Sequence, residues 1–91
     1  MKKRYWINIR CVVETVPYLG KNCWGNCDIN DDDVIIIKIR YSNDKRMRRT
    51  LDHELSHASN MLIDARIGYE SVAIIIERCH DKARKIIPWY T

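Results

Sequence analysis

Between Tyr5 and Val16 the chain is rich in β-branched and aromatic residues with partial alternation of apolar and polar positions, which predicts a strand ended by Pro17. From Tyr18 to about Asp33 the pattern lapses into Gly20, Gly25, three Asn and a run of Asp, the composition of a loop. Val34 to Tyr41 reads as a second strand, apolar through its first half. Ser42-Asn43-Asp44 then offers N-cap chemistry for a helix that starts near Lys45 to Met47 and runs to about Asp64. Within it, Leu51, Leu55, Ala58 and Leu62 fall on one stripe at about 100° per residue. Gly68 punctuates a turn. A second helix follows from Tyr69 to Ile87, with Val72, Ile75, Ile76, Cys79, Ala83 and Ile86 on its apolar side and Pro88 as its stop. Strand, long loop, strand, helix, helix makes a small α+β fold, and 91 residues support one domain over residues 1–91.

Composition narrows the setting. Hydrophobic residues at 46% and charged residues at 31% describe a globular chain that is not disordered. The longest apolar runs, Val34 to Ile37 and Val72 to Ile76, fall well short of the roughly 20 residues of a membrane span. Asn8, Arg10 and Glu14 interrupt what would be the apolar part of a signal peptide, so the expected location is cytoplasmic. The formal charge of +4 permits nucleic acid as a partner. Its basic runs fall in three separate places, Lys2 to Arg4, Lys45 to Arg49 and Lys82 to Lys85, without interleaved aromatics, which favours ordinary basic surface. Four cysteines at irregular spacing make neither a zinc finger nor a secreted disulfide framework, so free thiols are expected, with a Cys23–Cys27 bridge as the alternative.

The chemistry lies in the first helix, where His53-Glu54-Leu55-Ser56-His57 is an H-E-x-x-H motif. Two His at i and i+4 point the same way, so both imidazoles reach one ion. They sit away from the leucine stripe. Glu54, beside them, can take a proton from water and pass it to a leaving amine. A catalytic zinc needs three protein ligands and an open position. Metzincin spacing fails, because Ile63 stands where its third ligand belongs and Asn60 where its glycine belongs. In the second helix Glu70, Glu77 and Asp81 share a stripe opposite the apolar side, and either Glu could serve as the third ligand.

With His57 and Glu77 twenty residues apart and Glu77-x-x-x-Asp81 following, the chain resembles the gluzincins, the thermolysin-like metallopeptidases. Gly25-Asn26-Cys27-Asp28, the strand Val34 to Ile39 and Arg49-Thr50-Leu51 are also similar to small zincin-like proteins of phages and bacteria. That resemblance covers about residues 24 to 81, with H-E-x-x-H its one sharp motif. It implies a minimal zincin-like fold and His53, His57 and Glu77 as zinc ligands, with Glu70 the alternative to Glu77. It also implies Glu54 as general base and Asp81 as the residue orienting His53. The expected activity is hydrolysis of a protein or peptide by a monomer, with substrate paired along strand 34–39. Thermolysin's second domain, which supplies a transition-state donor, has no counterpart. Tyr69, His80, Arg66 and Tyr90 are chemically able to act as that donor. Two rival readings are a non-catalytic, zinc-stabilised binding module and a small basic nucleic-acid-binding protein.

Overall fold

The computed structural model describes residues 9–87. Its elements are β1 (Arg10–Val16), β2 (Gly25–Ile29), β3 (Val34–Arg40), α1 (Asp44–Asp64) and α2 (Tyr69–Ile86). The α+β fold is thus as the sequence predicts, with one strand more. Among the described residues no helix is long and apolar enough to cross a membrane.

The added strand is β2, inside the stretch that reads as loop. It forms because the Asn-Asp run is a hairpin turn. The Asn30 side chain accepts hydrogen bonds from the backbone N–H of Asp32 (2.9 Å) and of Val34 (3.1 Å), while Asp33 adopts the left-handed conformation at φ 60°. The Asn30 N–H also donates to the Val34 carbonyl at 3.0 Å, and the turn sends β2 back along β3. In Gly-Asn-Cys-Asp-Ile every second residue faces inward, but only Ile29 is a strong strand former. Pairing with β3, not intrinsic propensity, decides the conformation.

The sheet order is β1-β3-β2, with β1 parallel and β2 antiparallel to β3. Segment 34–39 is therefore central. Both of its edges are hydrogen-bonded to neighbours, so it has none left for a substrate strand, which corrects the expectation for strand 34–39. Among the described residues, the edge beside α1 is β2, which pairs with no further strand. One face of the sheet carries Cys11 and Val13 from β1 and Ile35, Ile37 and Ile39 from β3, all buried. Both helices cover that face, α2 packing on β1 and α1 on β2 and β3. Met47, Leu51, Leu55, Ala58 and Leu62 are the buried side of α1, and Val72, Ile75, Cys79 and Ala83 that of α2, close to the predicted stripes.

Asn43 caps α1 as predicted, its side chain accepting from the Arg46 N–H at 2.9 Å. The other end differs. Arg66, at φ 64°, takes the left-handed position, and its N–H and that of Ile67 close on the carbonyls of Ile63 and Leu62. Gly68 is instead the extended N-cap residue of α2.

Candidate active site

On α1, the leucine stripe faces the sheet and Glu54 borders it on the β2 side. Glu54 is only 7% exposed and is the one buried charged side chain among the described residues. It is accommodated by Gly25 at the start of β2. A Cβ added there would lie 2.5 Å from Thr50 Cγ2 and 3.0 Å from both Glu54 Cγ and Glu54 Oε2. Glycine at 25 thus lets the strand backbone approach the helix closely. The Thr50 side chain that fills the contact is held by its own hydroxyl, which donates to the Arg46 carbonyl at 2.7 Å.

His53 and His57 stand next along the helix, exposed, with Nε2 of one 2.9 Å from Nε2 of the other. Their rings meet edge to face, 4.4 Å between centroids and 88° between planes. The two rings share a hydrogen bond through these nitrogens, which places both Nε2 atoms together on the helix surface. At a Zn–N distance of about 2.0–2.1 Å, two tetrahedral ligand nitrogens lie about 3.3 Å apart, so this pair needs only a slight opening to accept an ion. His53 and Glu54 share the wall of a cavity of about 410 Å³ with Trp24, Gly25, Arg49 and Thr50. The site thus lies where α1 meets the open edge of β2.

The remaining predicted residues are placed elsewhere. Glu70, Glu77 and Asp81 are exposed on α2. Arg84 donates to Asp81 Oδ1 at 2.6 Å and lies 3.7 Å from Glu77 Oε1. Asp81 therefore serves Arg84, and its expected pairing with His53 is not made. Among the described residues no three His, Cys, Asp or Glu side chains gather around one point, so neither Glu77 nor Glu70 joins the histidines in this arrangement. Residues 1–8 and 88–91 contain none of these four residue types. The physical reason is layering. The α2 stripe is opposite a face that is buried on β1, whereas the histidines look toward β2. The site fits two of three zinc positions. Of the candidate donors, Tyr69 is 79% exposed, Arg66 ends α1, His80 is half-buried on α2, and Tyr90 lies outside the described residues.

Sequence reasoning missed Trp24, Gly25, Arg49, Thr50 and Cys23 as parts of the cavity wall. Only the Gly25 and Arg49-Thr50 segments carried any signal, through the family resemblance. The four thiols are free, as expected, and no Cys23–Cys27 bridge forms. Burial and then the nearby Glu54 charge push Cys27 up to about 12. A hydrogen bond to Cys11, then burial, pushes Cys79 far above its ordinary range. Cys11 and Cys79 are buried and Cys27 holds its proton to about 12, so a thiol reagent should modify Cys23 first in the native protein. Cys11, Cys27 and Cys79 should react only through opening of the fold, as mass spectrometry against time would show. Cys27 also makes stability depend on pH. Its proton leaves the unfolded chain near 9.0 but stays on the native one to about 12, so this contribution is complete below 9.0 and is lost as pH rises through about 12.

No protein-family model, curated protein or solved structure matches this chain.

Proposed function

We propose that this protein is a zinc-dependent peptide hydrolase whose ion is held by Nε2 of His53 and Nε2 of His57. The observation that carries the reading is the 2.9 Å approach of those two nitrogens, with His53 next to the buried Glu54 carboxylate in the same cavity wall. When bound, zinc would polarise a substrate carbonyl and lower the pKa of water. Glu54 accepts the proton of the attacking water and returns it to the departing amine. Burial on Gly25 fixes the carboxylate's position, which is what proton transfer over hydrogen-bond distance requires. The open edge of β2 offers backbone N–H and C=O groups that can pair with an extended peptide, delivering its carbonyl to the cavity. The third ligand is not assigned by this arrangement. Glu77 would complete the set only if α2 carried it across α1 toward β2.

The deciding experiment is hydrolysis of a peptide library by zinc-loaded protein, with Glu54→Gln as the control that keeps the ligands. A protein that binds zinc and cleaves nothing would instead support the zinc-stabilised binding module.

A further inference from the structure

Two arginines from different elements stack on Trp24, part of the cavity wall, and a third lines the same cavity. The Arg46 guanidinium lies 4.2 Å from the Trp24 ring centre and that of Arg40 4.7 Å, with Arg40 also 5.2 Å from Tyr18. Arg49 lines the cavity beside Trp24 and His53. Stacking on aromatic faces holds a guanidinium in place while leaving its N–H edge free for a carboxylate. Opposed to these three cations, the cavity wall itself contributes the single carboxylate of Glu54.

We propose that the peptide taken by this site is acidic, with Asp or Glu side chains meeting Arg49 in the cavity and Arg40 and Arg46 on Trp24. This rests on the hydrolase reading and names its substrate class. Two features favour an acidic peptide over single-stranded nucleic acid, the other polyanion that arginines attract. Guanidiniums already cover the Trp24 ring, which is then unavailable to stack a base. The open edge of β2 adjoins the same cavity, and its alternating donors and acceptors complement a peptide backbone, not a sugar-phosphate chain.

Binding separates this proposal from catalysis. Zinc-loaded Glu54→Gln protein would be titrated by fluorescence anisotropy with a labelled acidic peptide, its Asn/Gln counterpart and an oligonucleotide of similar length. The acidic peptide should bind about tenfold more tightly than its amide counterpart at low salt, since one charge-assisted hydrogen bond is worth about that factor. Salt should erode the difference. Arg49→Gln and, separately, Arg46→Gln should each reduce the acidic-to-amide ratio, with circular dichroism confirming the fold. Equal binding of the two peptides, or tighter binding of the oligonucleotide, overturns the proposal. Cleavage by the wild type that ignores acidic residues would also overturn it while leaving the hydrolase intact. Acid-selective binding with no wild-type cleavage would uphold it and remove the hydrolase.

Discussion

Replacing Glu54 by Gln should reduce peptide hydrolysis by about a hundred- to ten-thousand-fold, the usual contribution of a positioned general base, while zinc stays bound. Gln keeps the volume of the side chain against Gly25 and removes only its capacity to accept a proton. The fold should not suffer. Gln matches the size of the side chain it replaces in this 7% exposed position, so thermal unfolding should show a stability close to wild type. A second readout comes from Cys27. The Glu54 charge is part of what raises that thiol, so in Glu54→Gln its titration should move down from about 12. Loss of hydrolysis with unchanged Cys27 titration would place the carboxylate elsewhere than the cavity wall. Retention of full activity would remove Glu54 from the chemistry.

The next largest effect is expected at Gly25. In Gly25→Ala the new methyl would sit 2.5 Å from Thr50 Cγ2, a distance that packed carbons essentially never adopt, and 3.0 Å from Glu54, a tight contact. Thr50 cannot simply turn away, because its hydroxyl is bonded to the Arg46 carbonyl. Either β2 separates from α1 or Glu54 is displaced. Overpacking of this kind costs about 1–3 kcal/mol, and hydrolysis should fall with it because the base is moved. Thr50→Ser deletes the nearest obstructing carbon and keeps the hydroxyl. The double variant Gly25→Ala/Thr50→Ser should recover much of the stability, as chemical denaturation would measure. Its activity should recover less, since the Glu54 contacts remain. A Gly25→Ala protein as stable as wild type would contradict the close strand–helix contact.

Much of this architecture is legible in the sequence because it follows from period. The stripe Leu51, Leu55, Ala58, Leu62 and the stripe Val72, Ile75, Cys79, Ala83 give both helices and their buried sides, and the Val34 to Ile39 run gives β3. Asn43 marks the start of α1 by its capping chemistry. The strand β2 was not legible, since Asn26 and Asp28 disfavour a strand and only the Asn30 turn and the β3 partner impose one. That omission carried a second one, because without β2 the segment 34–39 looks like an edge.

The site divides in the same way. His53, Glu54 and His57 are three residues of one helix, so local geometry alone brings them together. A third ligand depends on how α2 is laid on the sheet, which periodicity does not encode. The acidic stripe of Glu70, Glu77 and Asp81 is real as a face, but the packing of α2 on β1 leaves it in solvent with Arg84. The Trp24 cluster draws Tyr18, Arg40 and Arg46 from three separate segments, so no window of sequence contains it.

Whether His53 and His57 hold zinc together, as proposed, is read from elemental analysis of the purified protein. Protein produced with zinc supplied should carry stoichiometric zinc, lost in His53→Ala and in His57→Ala and retained in Glu54→Gln. Zinc lost as well in Glu77→Ala would add α2 to the ligand set, and the histidine pair would stand. Wild-type protein without zinc, or with zinc that survives loss of either histidine, would contradict the account.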